Sequence, residues 1–147
     1  MSNSGMSYAP RAAGTSVVVS PGEFRVAAAG LDHGHIYGMC FGLADAGAEI
    51  TTVYDPDPKK VAAFQEQFPT AKKVESLDAL LEDHSLNMVA SAAVPSERGD
   101  IGLKVQDAGK HYFVDKAPFT TAEQLAAARE SVKRSGKHWA VCYSGRV

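Results

Sequence analysis

The chain has 147 residues, a length that suits one domain with a sizeable hydrophobic core. Its composition is 45% apolar and 22% charged, as in ordinary globular proteins, and no apolar run approaches the roughly 20 residues that span a bilayer. A formal net charge of −2 excludes a strongly basic surface, so we expect neither nucleic acid nor a membrane as a partner.

The first 22 residues are rich in Ser, Gly and Pro and hold one apolar run, Val17 to Val19. Such a stretch buries too little surface to offset its ordering entropy, so we predict a flexible tail at 1–22 and one folded domain at 23–147. No secretory signal pattern is visible. The two cysteines, Cys40 and Cys142, lack CxxC spacing and are interpreted as reduced thiols, which favours a cytoplasmic protein.

From Phe24 onward, apolar runs of strand length alternate with helical patterns. In chain order, we predict strand 24–29, helix 35–46, strand 50–54, helix 58–68, strand 73–74, helix 77–82, strand 87–93, helix 98–108, strand 111–114, a helix from 121 to 135 and strand 138–143. Pro58 suits a first helical turn, and Thr121 with Gln124 forms a capping-box pattern. This alternation predicts an α/β fold, a doubly wound, mostly parallel six-stranded sheet of Rossmann type.

The turn after the first predicted strand contains Gly30, Gly34 and Gly38 at intervals of four, with Ala28 where a first glycine is also conceivable. In dinucleotide folds this turn needs glycine because side chains would block the approach of the pyrophosphate, and the following helix start favours an anion. We therefore predict that the turn contacts a dinucleotide through Gly30, Asp32, His33, Gly34 and His35. A tight turn that packs a helix without any ligand is the structural alternative.

The His33-x-His35 pattern is also a possible start of a metal site, because it places two imidazoles near each other. No cysteine and no further histidine lies close to them in the sequence. We therefore expect no metal site here, and we interpret His35 as a hydrogen-bond donor to phosphate or as a local capping group.

Asp55 follows the second predicted strand, where a carboxylate accepts hydrogen bonds from the adenosine ribose and repels a 2′-phosphate. This position predicts NAD rather than NADP as the cofactor. Lys59 and Lys60 lie close enough in sequence to neutralise a 2′-phosphate if the loop bends inward. The structural alternative for Asp55 is an Asx-type turn before Pro56.

The segment Ala108-Gly109-Lys110-His111-Tyr112-Phe113-Val114-Asp115-Lys116-Ala117-Pro118 resembles the A-G-K-H-V-x-x-E-K-P segment of the glucose-fructose oxidoreductase / inositol dehydrogenase / MocA family. Three further stretches are similar to that family: Val53 to Asp57, Ser76 to Leu81, and Ala140 to Arg146. The resemblance covers Phe24 to Val147 and corresponds to the amino-terminal NAD(P)-binding domain of the family.

The resemblance implies an oxidoreductase that acts on a sugar or cyclitol hydroxyl with a bound nicotinamide dinucleotide. It implies that Lys116 lies beside the nicotinamide as the catalytic residue, and that Ala93, Pro95 and Asp115 contact the cofactor. Pro118 would correspond to the motif proline, which often shapes this loop through a cis bond. Here Ala117 stands between Lys116 and that proline, and a solvated lysine without a catalytic role is the alternative.

The family also continues into a second α/β domain that bears further catalytic groups, so the resemblance implies that this chain by itself is not a complete catalyst. Three hypotheses remain open: the cofactor half of an oxidoreductase, a module that holds NAD(H) without turnover, and a folded remnant that acts by association. A missing second domain would leave the last strand uncovered, so we also expect a homo-oligomer.

Overall fold

Six parallel strands form one sheet in the computed structural model, which describes residues 16–143. They are β1 (Arg25–Ala29), β2 (Glu49–Tyr54), β3 (Lys72–Lys73), β4 (Met88–Ser91), β5 (His111–Asp115) and β6 (Trp139–Cys142). Their spatial order is β3-β2-β1-β4-β5-β6, and every neighbouring pair is parallel. This order is that of a Rossmann fold, so the predicted fold class is confirmed.

The connections between these strands are helical. The helices are α1 (His35–Asp45), α2 (Pro58–Gln67), α3 (Leu77–Leu81), α4 (Pro95–Asp107) and α5 (Ala122–Ser135). The predicted Thr121–Gln124 capping box begins α5, and Gly136 ends it in the left-handed conformation with φ +67°. The sequence signals for helix ends therefore located most of these boundaries.

Two boundaries differ from the prediction around the fourth strand. We predicted a strand to Ala93 and a helix from Arg98, whereas β4 ends at Ser91 and α4 already begins at Pro95. A proline lacks the amide hydrogen that a first helical turn leaves unpaired, so Pro95 starts the helix rather than merely interrupting the strand. The earlier start makes Arg98 the fourth residue of α4 rather than its first.

Both faces of the sheet are covered by other elements. Alternate residues of β1 belong to two separate hydrophobic clusters, one on each face. Val26 and Ala28 pack with α1 and α2 residues such as Ile36 and Phe64. Ala27 and Ala29 point to the opposite face, into a second cluster of buried residues. Because successive strand residues face opposite sides, a continuous apolar run such as Val26 to Ala29 in β1 is the pattern of a sheet buried on both faces.

The tail expected at 1–22 lies only partly within the described residues, which begin at residue 16. There, the Val18 amide donates to the Ala46 carbonyl at 2.9 Å, beside the end of α1. Residues 1–15 and 144–147 lie outside the described part of the chain. Among the helices at 16–143, none has the length and apolarity to cross a membrane.

The order of the strands places the candidate site. The chain leaves β1 toward β2 on one side and reaches β4 on the other, so the connections diverge at the carboxyl ends of β1 and β4. In open parallel sheets, ligands bind in the crevice that such a divergence creates. All the residues predicted for cofactor binding lie at this edge of the sheet.

Candidate functional site

Gly30 forms the turn directly after β1, with φ +80°. A Cβ at this position would lie 2.6 Å from the Ala93 Cβ and 3.1 Å from the Ser91 Oγ, so no side chain fits. The Gly30 amide donates to Tyr54 O at 3.2 Å, and Gly30 O accepts from the Ala92 amide at 2.9 Å. Gly30 therefore joins the ends of β2 and β4 in one tight turn.

The other two glycines of this segment, Gly34 and Gly38, are not required by close packing as Gly30 is. Gly34 caps α1 with φ −60°, and a Cβ at Gly34 or Gly38 would contact nothing within 4 Å. Ala28 is fully buried inside β1 and is not part of the turn. The space beside Gly34 is open, and its contact with a dinucleotide stays a prediction. Counted from Gly30, the dinucleotide spacing G-x-G-x-x-G places Asp32 at the second glycine and His35 at the third.

Asp32 connects the turn to two neighbouring elements. Its Oδ1 accepts a hydrogen bond from Lys60 Nζ at 2.6 Å, and its Oδ2 accepts from the Val94 amide at 3.2 Å. The hydrogen bond to Asp32 raises the pKa of Lys60, and the nearby charges of Asp55 and Asp57 act in the same direction. The cation of Lys60 is therefore already paired across the crevice.

Asp55 lies at the carboxyl end of β2 and is only 5% exposed. Its Oδ2 accepts from the Leu31 amide at 2.7 Å, and its Oδ1 accepts from the Asp57 amide at 2.8 Å. The second contact is the Asx turn considered as the structural alternative, and the first fixes the carboxylate against the glycine turn. Since each carboxylate oxygen can accept more than one hydrogen bond, both oxygens retain capacity for a ligand hydroxyl.

Two cavities adjoin the end of β2. The larger, about 390 Å³, is lined by Gly30, Asp32, Asp55 and Ala93 among the predicted residues, and otherwise by Ala29, Tyr54, Pro56, Leu77, Val94, Glu97, Ile101 and Lys104. The other, about 370 Å³, is lined by Tyr54, Asp55, Pro56, Pro58, Lys73, Val74 and Glu75. Pro95 does not line either cavity, although it directly follows Val94.

A second group of predicted residues meets at the end of β5. The Asp115 carboxylate is 1% exposed, and its Oδ1 lies 3.0 Å from His35 Nδ1. His33 Nδ1 lies 3.7 Å from Oδ2, and the Lys116 amide donates to Oδ1 at 2.8 Å. The fold thus unites His33, His35, Asp115 and Lys116, although 80 residues separate His35 from Asp115.

Arg98 is a site residue that sequence reasoning missed. Its side chain is 2% exposed, and Nε donates to Ala93 O at 2.6 Å. One terminal nitrogen donates to the carbonyls of Asp115 and Ala117, at 3.3 and 3.2 Å, and to that of Lys116, while the other lies 3.4 Å from Asp115 Oδ2. Arginine is mostly exposed in proteins, so no local pattern distinguished this one. Arg98 therefore connects residues 115–117, which we call the lysine loop, to the loop after β4.

Lys116 itself is exposed at the end of β5. Its backbone amide is held by Asp115 and its carbonyl by Arg98, so the loop is anchored on both sides of the residue. The peptide bond between Lys116 and Ala117 is cis, whereas we expected any cis bond to precede Pro118.

Comparison with known proteins agrees with this architecture. Residues 24–143 match the oxidoreductase family GFO_IDH_MocA, described as an NAD-binding Rossmann fold. A scyllo-inositol 2-dehydrogenase (NAD(+)) of Bacillus subtilis (strain 168) is 30% identical over 90 residues, which are 61% of this chain and 26% of the relative. The chain thus spans about a quarter of the length of that enzyme.

Solved structures share the fold. A protein from Erwinia carotovora atroseptica SCRI1043, classed as an oxidoreductase, is 42% identical with a TM-score of 0.78, and the match covers 80% of this chain and 35% of that one. A biliverdin reductase from Synechocystis sp. PCC 6803, solved with biliverdin and NADP+, is 20% identical with a TM-score of 0.69, and the match covers 80% and 37%. At 20% identity, the likeness to the biliverdin reductase shows the fold alone. Because the family match spans most of the chain, this protein belongs to the GFO_IDH_MocA oxidoreductase family, and residues 24–143 are its NAD-binding Rossmann domain.

Proposed function

We propose that this domain binds NAD(H) in preference to NADP(H), with the adenosine at the end of β2, the pyrophosphate at the start of α1 and the nicotinamide at the end of β5. The observation that supports it most is the Asp55 carboxylate, held against the glycine turn and bordering both cavities. An acid in this place accepts the ribose hydroxyls and repels a 2′-phosphate. Lys60, one of the cations near Asp55, is paired with Asp32.

The test is a calorimetric titration with NAD+, NADH, NADP+ and NADPH, using the wild-type chain and Asp55→Asn. Asparagine keeps one oxygen acceptor, for the buried Leu31 amide, but removes the charge and the acceptor for the Asp57 amide. Circular dichroism checks that the variant folds, and the ribose contact weakens. We expect NAD+ affinity to fall about tenfold, since hydrogen bonds to charged groups contribute about 1.5–3 kcal/mol. NADP+ affinity should change little or rise.

Asp100→Asn is the matched control, because Asp100 is an exposed carboxylate on α4 that lines neither cavity. It removes one negative charge from the same chain and should leave all four affinities unchanged. Equal affinities for NAD+ and NADP+ in the wild-type chain would contradict the proposed preference. An absence of binding to all four would refute the wider proposal of a working cofactor site and favour a folded remnant.

We further propose that the complete oxidoreductase oxidises a hydroxyl of a sugar or cyclitol, with Lys116 as the residue that bonds the reacting oxygen and accepts its proton. The cofactor supplies the hydride acceptor, and the chain positions the lysine. The support is the anchored loop of Lys116, its place beside the end of β5, and the inositol dehydrogenase relative. Formation of NADH with a panel of cyclitols, followed at its absorbance band, separates this activity from a module that binds NAD(H) without turnover.

Self-association is a separate proposal that rests on β6. Among residues 16–143, β6 is the edge strand of the sheet, and Tyr143, directly after it, is 58% exposed. An unpaired strand edge with an exposed aromatic residue is commonly buried by a second chain. We propose a homo-oligomer through this edge. A monomeric mass by light scattering at high protein concentration would contradict it.

The cysteines support a proposal about location. Cys40 is fully buried, where burial raises the pKa of its thiol to about 12, and it forms no disulfide with Cys142. Disulfides form in oxidising compartments and are rare in the cytosol. We therefore propose a cytoplasmic protein, to be tested by fractionating cells that produce it; recovery from a secreted fraction would contradict this.

A further inference from the structure

Three metal-ligating side chains from distant parts of the chain meet at the rim of the crevice. His33, His35 and Asp115 each offer one ligand atom, and these atoms all lie within 4.8 Å of one another. Among the described residues, no other three His, Cys, Asp or Glu side chains meet in this way. The sequence led us to expect no metal because no third ligand lay near the two histidines, and the fold supplies that ligand from β5.

We propose that His33, His35 and Asp115 bind one divalent transition-metal ion, with Zn²⁺ as the expected occupant. Imidazole nitrogen and carboxylate oxygen are the donors that suit Zn²⁺ in sites with three protein ligands. Such sites keep a coordination position for water or substrate. Because the His33 side chain is about half exposed, this open position would be accessible to solvent.

The distances are close to those that the ion requires. With bonds of about 2.0–2.2 Å, ligand atoms around a tetrahedral Zn²⁺ lie roughly 3.3 Å apart. His35 Nδ1 is 3.0 Å from Asp115 Oδ1. His33 Nδ1 is 3.7 Å from Oδ2 and accepts the His35 amide at 3.2 Å, so the ring of His33 must rotate to free a nitrogen for the ion. The two imidazole rings lie side by side, with centroids 4.1 Å apart and their planes tilted by 57°. Small rotations of exposed His33 therefore complete the site, and the ion replaces the proton between His35 and Asp115.

The carboxylate is preorganised for this role. Asp115 is buried and receives the Lys116 amide on Oδ1, while Arg98 lies 3.4 Å from Oδ2. Partners outside the ligand set that orient a ligand are a regular feature of metal sites. Arg98 and the amino end of α1 also carry positive charge that opposes a cation. For that reason we expect micromolar rather than nanomolar affinity.

The test is titration of tag-free wild-type chain with Zn²⁺ by calorimetry and with Co²⁺ by visible absorption, after removal of bound metal with a chelator. We expect one equivalent of either ion, with Co²⁺ bands typical of a four- or five-coordinate site. His33→Gln and His35→Gln should each weaken binding at least tenfold and abolish those bands. Both replaced side chains are partly exposed, so these variants should fold, which circular dichroism checks.

Two other histidines provide matched controls. His138 stacks on His111 with ring centroids 5.1 Å apart, without a carboxylate in the group, and His84 is exposed. His138→Gln and His84→Gln should leave the metal affinity unchanged. The proposal is overturned if the wild-type chain binds no equivalent of metal, or if binding survives both the His33 and His35 variants.

The outcome is separable from that of the cofactor proposal. Dinucleotide titrations are carried out with a chelator present, so they report the cofactor site in the metal-free chain. A chain that binds NAD+ but no Zn²⁺ refutes the metal site alone. A chain that binds Zn²⁺ through His33 and His35 but no dinucleotide refutes the cofactor proposal alone.

Discussion

Gly30→Ala is expected to destabilise the domain by roughly 2–5 kcal/mol. The left-handed φ of +80° costs an alanine about 1–2 kcal/mol, and forcing a methyl group into a filled space adds about 1–3 kcal/mol. The methyl group would meet the Ala93 Cβ at 2.6 Å, and the nearby Ala93 backbone leaves no flexible group to move aside. Urea unfolding followed by the fluorescence of Trp139, the single tryptophan, measures the change.

Gly38→Ala is the matched control in the same segment. Gly38 lies on the exposed side of α1, and a Cβ there contacts nothing within 4 Å. Alanine in a helix interior is better than glycine by about 0.5–1 kcal/mol, so this variant should be slightly more stable than the wild type. If the free energy of unfolding of Gly30→Ala is no lower than that of Gly38→Ala, the turn accommodates a side chain, and the fold does not require the close approach of Gly30 to Ala93.

The fold was predictable because its signals are local. The apolar run in β1 predicts a strand buried on both faces, and proline, capping-box and glycine signals mark helix ends such as those of α2 and α5. Alternation of such elements leaves few topologies once crossovers are right-handed. The doubly wound arrangement followed from this rule, whereas the order of the strands in the sheet was not predicted.

The candidate site was predictable only in part, because its contacts join residues far apart in sequence. Asp55 was identified from its position after a strand, yet its bond to the Leu31 amide depends on the packing of the turn. The contact between His35 and Asp115 joins residues 80 positions apart, and no sequence pattern indicates it. A buried Arg98 looks, in sequence, like any charged residue on a helix, and the boundary error at Pro95 moved it away from its true place in α4.

These missed contacts have a common consequence for the site. The adenosine end relies on Asp55 and backbone amides, whereas the end near Lys116 relies on ionised side chains, chiefly Arg98 and Asp115. Substitutions at the two ends are expected to differ in their stability cost. Losing an amide contact leaves one unpaired donor, whereas losing one partner of a buried ion pair leaves an uncompensated charge. The second is the more costly loss.

Arg98→Met is therefore expected to destabilise the domain by about 3–5 kcal/mol, the cost typical of removing one partner from a buried ion pair. Methionine fills similar apolar space but leaves the buried Asp115 carboxylate without its cation and several carbonyls of the lysine loop without a donor. Lysine is no adequate replacement, since a single ammonium cannot reproduce the fork of guanidinium donors. Chemical denaturation of Arg98→Met and Arg98→Lys measures both costs.

Arg134→Met is the control for loss of one arginine charge. Arg134 pairs with Asp107 at 2.8 Å, but both side chains are more than half exposed, so the expected cost is below about 1 kcal/mol. A double variant, Arg98→Met with Asp115→Asn, separates the two contributions of Arg98. If the uncompensated carboxylate dominates, the double variant recovers much of the lost stability. If the loop carbonyls dominate, it recovers little. An Arg98→Met cost as small as that of Arg134→Met would contradict both, and would show that water reaches Asp115 in place of the guanidinium.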